Sequence, residues 1–352
     1  MKKLLIIGGY LPEYPRNRCF LMALRACFDV TEKQVGEREY LKFVTALFRY
    51  GKHQDYVWVM QPAQRFVLIL FLFRFFFRVP IIFDAFTSIY DTFVEDRKLA
   101  GRYSIKAIYY YLLDFFSCRA AHSIVCDTKE HEQYFRRMFH VGNAKRFLIL
   151  PVTIDCAFID AITPEGLESV FPKQTFNVLF YGNYIPLQGI EYIIRAAHII
   201  KNETNIHFTL IGAGQTRPFI ESLYKELRLK NITFIDRMSY TDLIRHIKSS
   251  DICLGIFGNT EKARRVIPNK VLDCMACGKV VITGKNPEMA RNFQDGVDII
   301  FCTMADENDL AEKIFDVYTR HKTMKDIEKN AYATIKQKFS IENLEEKIRY
   351  IL

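Results

Sequence analysis

The stretch ICLGIFGNTEKARRVIPNKVLDCMACGKVVITG, from Ile252 to Gly284, contains one complete strand–helix–strand unit. Its two ends, ICLGIF and VVITG, are short apolar runs of the kind that forms buried strands in a parallel sheet. Between them, Pro268 suits the first turn of a helix and Gly278 suits the end of that helix. The stretch therefore predicts a strand, a loop rich in basic residues, a helix and a second strand.

The same alternation runs along both halves of the chain. Helical patterns separate twelve candidate strands: LLIIGG (4–9), DVTEKQ (29–34), YVWVM (56–60), PIIFDAF (80–86), HSIVCD (122–127), RFLILPV (146–152), FNVLFYG (176–182), IHFTLIGAG (206–214), ITFID (232–236), ICLGIF (252–257), VVITG (280–284) and DIIFC (298–302). Such regular alternation predicts parallel sheets with right-handed crossovers. The fold class is therefore α/β, with two Rossmann-like domains whose parallel sheets face a cleft.

The break between the two series lies at 153–174, where two prolines and weak apolar periodicity indicate a linker. We expect an N-terminal domain at 1–160 and a C-terminal domain at 161–335. We expect a final helix at 336–352 that crosses back to the first domain. Because the carboxyl ends of parallel strands share one edge of a sheet, the loops that follow the strands are the places to search for chemistry.

Composition narrows the range of partners and compartments. The net charge of +9 favours an anionic partner, but the basic residues are spread along the chain, so nucleic acid is not expected. Nine cysteines, an odd number, lie mostly in apolar runs, and MKKLLIIGGYLPEYP lacks the long apolar core of a secretion signal. We therefore expect a reduced, cytoplasmic location.

The stretch RFVLILFLFRFFFRVPIIF, from Arg65 to Phe83, is strongly apolar. Arg74 interrupts the apolar run before it is long enough to span a bilayer. One interpretation is a core helix that leads into a buried strand. The other is a helix that dips into a membrane surface, helped by Arg65, Arg74 and Arg78.

In the first half, two loops at predicted strand ends carry candidate residues. GGYLPEYPRNR, from Gly8 to Arg18, has a glycine pair before a helix start, which suits an anion, although an ordinary tight turn explains it equally well. FDAFTSIYDT supplies Asp84 and Asp91, which bind a sugar hydroxyl or act as a base, or else simply cap a helix or form a turn.

In the second half, the richest loop is FGNTEKARRVIPNKVLD. The free N–H groups of the helix that starts near Pro268, with Arg265 and Lys270 beside them, predict a diphosphate site. Asp273 lies one turn later and could accept hydrogen bonds from a ribose. The alternative is a solvated basic loop. Gly182, Gly189 and the IGAG turn at 211–214 offer further close approaches of backbone at strand ends.

The CxxC pair does not indicate a metal or redox site. Cys274 and Cys277 lie at the C-terminal end of the predicted helix, whereas a redox pair uses the N-terminal end, where the helix dipole lowers the pKa of a thiol. A zinc site needs four ligands, and the chain has no second CxxC and no histidine pair at metal spacing. These cysteines are therefore interpreted as small buried packing residues.

Taken together, these motifs resemble the retaining glycosyltransferases of the two-Rossmann-domain (GT-B) architecture, family four. The resemblance rests on GGYLPEYPRNR, FDAFTSIYDTFVEDRK, YGNYIPLQGIEYII, IGAG and LGIFGNTEKARRVIPNKVLDCMACGKVVITG. It implies transfer of a sugar from a nucleotide-diphospho-sugar with retention at the anomeric carbon. It also implies that protein cations, without a metal or other cofactor, stabilise the leaving diphosphate.

The resemblance also assigns residues. Asp273 matches the second acid of the family's E-x7-E pattern, whereas Arg265 stands where many members carry the first glutamate. Asn183 and Gln188 replace common basic ligands, Asp84 replaces a common histidine, and IDRM at 235–238 matches the base-binding loop. The expected catalytic residues are Asp84 and Asp91. The expected donor-binding residues are Gly9, Tyr10, Arg16, Gly182, Asn183, Gln188, Gly212, Arg237, Met238, Phe257, Gly258, Arg265, Pro268, Asn269, Lys270, Val271 and Asp273.

The sequence thus predicts a glycosyltransferase that extends a surface-glycan or lipid-linked saccharide acceptor. In this interpretation the first domain binds the acceptor, the second binds the nucleotide sugar, and the protein is peripheral on the anionic inner face of the membrane. Two alternatives stay open: a non-catalytic GT-B scaffold or glycan-binding subunit, and a nucleotide-sugar epimerase.

Overall fold

A computed structural model describes residues 1–36, 38–73, 76, 79–164 and 175–351. The chain forms two compact units. Unit 1 comprises Met1–Thr153 together with Ile341–Leu352, and unit 2 comprises Ile154–Ser340. Residues 165–174 of the predicted linker lie outside the described residues.

Unit 1 is built on a six-stranded sheet flanked by helices. Its strands are β1 Lys3–Gly8, β2 Asp29–Gln34, β3 Tyr56–Val59, β4 Ile81–Asp84, β5 Ser123–Cys126 and β6 Arg146–Ile149. Its helices are α1 Pro15–Cys27, α2 Tyr40–Tyr50, α3 Gln64–Leu72, α4 Ile105–Ala120, α5 Lys129–Met138 and, at the end of the chain, α14 Ile341–Ile351. All strands are parallel, in the order β2-β1-β3-β4-β5-β6.

Unit 2 repeats this plan. Its strands are β7 Phe176–Tyr181, β8 Ile206–Ile211, β9 Ile232–Ile235, β10 Ile252–Leu254, β11 Val280–Gly284 and β12 Ile300–Cys302. Its helices are α6 Cys156–Asp160, α7 Ile190–Ile199, α8 Arg217–Glu226, α9 Tyr240–Ser249, α10 Asn269–Ala276, α11 Pro287–Asn292, α12 Glu307–Arg320 and α13 Lys325–Lys338. The parallel strands follow the order β12-β11-β10-β7-β8-β9.

All twelve predicted strands are present, and the predicted fold class of two Rossmann-like parallel sheets is confirmed. Strand β10 is three residues shorter than predicted, because it ends at Leu254 rather than at residue 257. Beyond Leu254, the Ile256 N–H donates to the Thr283 hydroxyl at 3.2 Å. The following residues are thereby released into the loop that carries the basic residues.

The apolar stretch that begins at Arg65 divides into a helix and a strand. Helix α3 buries Phe66, Val67 and Leu70, and β4 is buried along its whole length. This agrees with the core-helix interpretation for these two elements, while Arg74 and Arg78 lie outside the described residues. Within the described part of the chain, no helix combines the length and the apolar character that crossing a membrane requires.

Candidate functional site

The strand order of unit 2 places a crevice between β7 and β10. From β7 the chain moves to β8 and β9 on one side, and β10, β11 and β12 occupy the other side. In open α/β sheets, ligands bind where the order reverses, at the carboxyl ends of the strands. The loops that follow β7 and β10 are therefore the candidate site.

These two loops pack backbone against backbone. The Phe257 N–H donates to the Gln188 carbonyl at 3.0 Å. Gly189 is left-handed, with φ of 63°, and a side chain there would overlap the backbone of Phe257 and Gly258. A side chain at Gly258 would in turn overlap the carbonyls of Pro186 and Leu187. Glycine is therefore required at both contact points.

Lys270 lies in the first turn of α10 and is only 5% exposed. Its Nζ donates to Gln188 Oε1 at 2.5 Å and lies 3.5 Å from the centroid of the Phe180 ring. A Cβ at Gly182 would lie 2.7 Å from the same Nζ. Burial lowers the pKa of Lys270 well below its usual value, because the charged ammonium has lost its water. A buried cation held by one neutral amide and an aromatic face is suited to an incoming anion.

Asp273, the predicted ribose ligand, is buried between two tyrosines. Its carboxylate oxygens accept from the Tyr181 hydroxyl at 2.5 Å and the Tyr240 hydroxyl at 2.7 Å. Burial, reinforced by the Asp273 charge, raises the pKa of Tyr181 well above its usual value, so this hydroxyl keeps its proton. Neither tyrosine was evident from the sequence, because neither lies near Asp273 along the chain.

Residues after β7, β8 and β9 meet at the same edge of the sheet. Arg237 donates to Asn183 Oδ1 at 2.9 Å, and its neighbour Met238 is half-buried. The Gly212 N–H bonds to the Ile235 carbonyl at 2.9 Å, and a Cβ at Gly212 would collide with the Gly182 carbonyl. The structure therefore brings Gly182, Asn183, Gly212 and Arg237 together.

The loop after β10 is only partly solvated. Arg265 is 7% exposed, whereas Arg264 and Glu261 are exposed. Asn286 Nδ2 ties the loop down by donating to the carbonyls of Ala263 and Val266, each at 3.0 Å. The solvated-loop alternative is therefore wrong for Arg265.

Helix α10 begins one residue later than the sequence predicted. Pro268 is the N-cap, its carbonyl accepts from the Val271 N–H at 3.0 Å, and Asn269 is the first helical residue. At the other end of the helix, Cys274 is buried and Cys277 is half-buried, which agrees with a packing role. In the parts of the chain that the structure describes, no group of three or more His, Cys, Asp or Glu side chains is placed to hold a metal ion.

In unit 1 the order reverses between β1 and β3, and the loop after β1 lies there. Gly8 ends the strand with φ of 146° and passes so close to Met60 that a Cβ would lie 2.8 Å from its carbonyl oxygen. Gly9 and Tyr10 follow, and Tyr10 is buried. Burial, with the nearby Glu32 carboxylate, raises the pKa of Tyr10 to about 12.

Arg16 and Asp84 form a buried, two-pronged ion pair. Arg16 Nη1 and Nη2 donate to the two Asp84 oxygens at 2.9 and 2.8 Å, and both side chains are almost fully buried. The guanidinium lies between the rings of Phe20 and Phe86, at 4.3 and 4.2 Å from their centroids. Both Asp84 oxygens therefore already accept hydrogen bonds from Arg16.

Asp91 is buried at the start of a π-helical turn, Asp91–Asp96, and its N–H donates to Ser88 Oγ at 3.0 Å. The carboxylate that organises this segment is Asp114 of α4, which the sequence did not single out. It accepts from Gln64 Nε2 at 3.0 Å, Ser88 Oγ at 2.7 Å and the Tyr90 N–H at 2.9 Å. Burial raises the pKa of Asp114 to about 6, although these hydrogen bonds oppose the rise.

A second polar pair that the sequence did not reveal follows β5. His131 Nδ1 and Asp127 Oδ1 are 2.9 Å apart, and both side chains are buried. Thr128 Oγ1 accepts from the His131 N–H at 3.1 Å and caps α5. Polar side chains therefore follow both β4 and β5, neighbouring strands of this sheet.

Residues 175–320, which contain every element of the unit 2 site, match the family model described as "Glycosyl transferases group 1". This match covers most of unit 2. The putative colanic acid biosynthesis glycosyl transferase WcaI of Escherichia coli K12 is 30% identical over 115 residues, covering 32% of this chain and 28% of WcaI. The uncharacterized glycosyltransferase MJ1178 of Methanocaldococcus jannaschii is 24% identical over 176 residues, 50% of this chain and 47% of that protein. The chain thus matches less than half the length of these two relatives.

Solved structures of other proteins share the fold over nearly the whole chain. Anabaena Alr3699/HepE, solved in complex with UDP, gives a TM-score of 0.77 at 14% identity, with 99% of each chain covered. The sucrose-phosphate synthase of Thermosynechococcus elongatus gives 0.76 at 16% identity, with 100% of this chain and 98% of that one covered. The resemblance to glycosyltransferases stated from the sequence is confirmed.

Proposed function

We propose that the chain transfers a sugar from a nucleotide-diphospho-sugar to a surface-glycan or lipid-linked saccharide acceptor, with retention of anomeric configuration. The observation that carries this proposal is the Lys270 ammonium, which is buried beside Gly182 and Gln188 at the point where the strand order of a group 1 glycosyltransferase domain reverses. Burying the Lys270 charge costs free energy, and a bound diphosphate would offset that cost by neutralising the charge.

In this proposal, the diphosphate lies against Lys270 and the first N–H groups of α10, at Asn269, Lys270 and Val271. Arg265 adds a second, largely buried positive charge nearby in the chain. Negative charge builds on the diphosphate as the sugar leaves, and fixed cations in a site with little water stabilise that charge most strongly in the transition state. Transfer by this route needs neither a metal nor another cofactor.

The remaining donor residues take positioning roles. Gly182, Gly212, Phe257 and Gly258 let the backbone approach the ligand, and Asn183 and Gln188 offer amides in place of cations. Arg237 and Met238 border the base. The Asp273 carboxylate receives the ribose hydroxyls by exchanging one of its tyrosine partners, since both of its oxygens are engaged in this structure.

We propose that unit 1 binds the acceptor. The predicted donor ligands Gly9, Tyr10 and Arg16 follow β1 of this unit, and the predicted catalytic residues Asp84 and Asp91 lie at and after β4. The bond between Arg16 and Asp84 supports a role in which Asp84 fixes the guanidinium for an anionic group of the acceptor or donor. With a lipid-linked acceptor, the protein works at the cytoplasmic surface of the membrane.

The test is a transfer assay with the full chain, a panel of nucleotide sugars and a lipid extract as acceptor. UDP-sugars come first, because UDP is bound in the related structures of Anabaena HepE and Staphylococcus aureus TarM. We expect nucleoside diphosphate release that depends on acceptor, and NMR of the product should show the anomeric configuration of the donor. Failure of every donor with every acceptor would refute the proposal.

A non-catalytic scaffold is the second candidate. Hydrogen bonds within the protein favour it. They occupy both oxygens of Asp84, a predicted catalytic residue, and both oxygens of Asp273, the predicted ribose ligand. A scaffold that keeps the Lys270 site would bind nucleotide diphosphates without releasing any from a nucleotide sugar. An epimerase would instead alter the sugar of the donor when no acceptor is present.

A further inference from the structure

Helix α4 has a second apolar face, and this face points to solvent. Ile105, Ile108, Tyr109, Leu112 and Phe116 are 87, 54, 44, 40 and 49% exposed. Their spacing of three and four residues places them on one side of the helix, over its full length. The opposite side is buried and packs on α3. The exposed stripe is therefore additional to what the core of unit 1 needs.

The loop before α4 continues the stripe and adds positive charge. Leu99 and Tyr103 are 55 and 92% exposed. Arg97, Lys98, Arg102 and Lys106 lie in or beside the same loop, and no acidic residue occurs between Arg97 and Leu113. We call the exposed apolar residues of loop and helix, together with these cations, the docking face.

Another cation borders the docking face from α3. The Arg65 guanidinium lies 6.0 Å from the Tyr109 ring centroid, and it donates to the Tyr40 hydroxyl of α2 at 3.2 Å. The Arg65 side chain is exposed, so its charge lies in solvent beside the apolar residues of α4. Apolar and aromatic side chains interspersed with cations are the composition of a helix that lies in a membrane interface.

The chemistry of the face distinguishes a bilayer from a second copy of the chain. A symmetric dimer through this face would bring the same four loop cations of both copies together, with no acid between residues 97 and 113 to offset them. Anionic headgroups supply that missing negative charge, and the acyl boundary receives the leucine, isoleucine and phenylalanine side chains. Exposed tyrosines suit the headgroup layer, because one end of the side chain is apolar and the other is wet.

We propose that the docking face binds the surface of an anionic bilayer, with α4 lying along the interface. This inference rests on the part of the proposed function that places the protein at the cytoplasmic membrane surface, and it specifies the contact with that surface. It names α4 and its preceding loop as the element of unit 1 that meets the lipid, in place of the stretch that starts at Arg65.

The experiment is cosedimentation of the full chain with vesicles of phosphatidylcholine, with and without phosphatidylglycerol. We expect binding only with phosphatidylglycerol. The double variant Ile108→Glu/Leu112→Glu should lose about tenfold or more in vesicle affinity, because it places negative charge where the helix enters the apolar layer. Neutralising Lys98, Arg102 and Lys106 to Gln should weaken binding by about fivefold for each charge removed.

The matched control is Phe219→Glu, which changes a side chain that is 54% exposed on α8 of unit 2. It should bind vesicles like the unmodified chain. Equal vesicle binding by Phe219→Glu and Ile108→Glu/Leu112→Glu would overturn the proposal. So would a chain that ignores vesicles but sediments as a dimer until Ile108 and Leu112 are replaced, since the face would then be a contact between copies.

Nucleotide binding, measured on the same samples, separates this proposal from the proposed function. All the variants replace residues of unit 1 or of the α8 surface, outside the Lys270 site, so they should bind nucleotide diphosphate like the unmodified chain. Nucleotide binding without vesicle binding would refute only the docking face. Vesicle binding without nucleotide binding would refute only the donor site.

Discussion

At the level of single residues, the predicted catalytic carboxylate of Asp84 is held in a buried ion pair with Arg16. The pair joins residues 68 positions apart and lies between two aromatic rings. Removing one partner leaves the other buried and uncompensated, which typically costs about 3–5 kcal/mol. We expect Arg16→Met and Asp84→Leu each to lower the free energy of unfolding by this order.

The double variant Arg16→Met/Asp84→Leu should recover much of that loss, because an apolar pair of similar volume needs no compensation. Urea unfolding of all four proteins measures the coupling. Losses that simply add in the double variant would show that the two residues do not depend on each other, and Asp84 would again be a candidate base.

Asp114 gives a pH dependence of known sign. Its folded-state pKa of about 6 lies above the usual value of an aspartate, so the folded chain binds this proton more tightly than the unfolded chain. The stability it contributes is full below about pH 4 and is lost as the pH rises to about 6. At about 1.4 kcal/mol per pKa unit, the change is about 3 kcal/mol.

We therefore expect the stability of the unmodified chain, relative to Asp114→Asn, to fall by that order between pH 4 and pH 7. Chemical denaturation at several pH values measures it. The control is Asp326→Asn, on the exposed side of α13. A difference between the chain and Asp114→Asn that is constant with pH would contradict the account of this carboxyl.

At the scale of elements, the loops after β7 and β10 depend on glycine. Gly189→Ala imposes a left-handed backbone on alanine and a collision with Gly258, so we expect a loss of about 1–3 kcal/mol and weaker nucleotide binding. Gly142→Ala is the control, since nothing lies within 4 Å of the added Cβ and its φ is ordinary. Thermal unfolding and nucleotide titration measure both effects, and identical behaviour of the two variants would disprove the tight contact.

The elements themselves were predictable, because each strand is a short buried apolar run with a clear boundary. The basic loop before α10 was also predictable, since a proline-started helix after a buried strand is a local pattern. The hydrogen-bond partners of Asp84, Asp114 and Asp273 could not be predicted from the sequence. Tyr181 is 92 positions from Asp273 and Gln64 is 50 from Asp114, and only the folded sheet brings such residues together.

At the scale of the molecule, unit 1 is completed by the last helix of the chain. Helix α14 packs on α1, and Ile341, Leu344 and Ile348 join the same core as Trp58. Trp58 is the single tryptophan of the sequence, so its fluorescence reports on unit 1. Leu344→Ala should lower the stability seen by Trp58 by about 2–5 kcal/mol.

The control for that measurement is Leu310→Ala, a buried residue of α12 in unit 2. It should move the Trp58 transition less than Leu344→Ala does. An unaltered Trp58 transition in Leu344→Ala would show that unit 1 does not need α14.

In the proposed function, unit 2 binds a nucleotide diphosphate on Lys270. Calorimetric titration of UDP, GDP and ADP into the unmodified chain, Lys270→Met and Lys225→Met tests it most directly. Lys225 is an exposed lysine of α8 and serves as the matched control. Loss of a charged hydrogen bond of about 1.5–3 kcal/mol should weaken binding by about ten- to a hundredfold in Lys270→Met alone.

The unliganded Lys270→Met chain should melt no lower than the unmodified one, because it removes a cation whose pKa burial has already lowered. Any loss of affinity then reflects the site and not the fold. We predict that at least one nucleotide binds the unmodified chain and Lys225→Met equally and Lys270→Met far more weakly. Equal affinity of all three proteins, or no binding of any nucleotide to the unmodified chain, would contradict the claim.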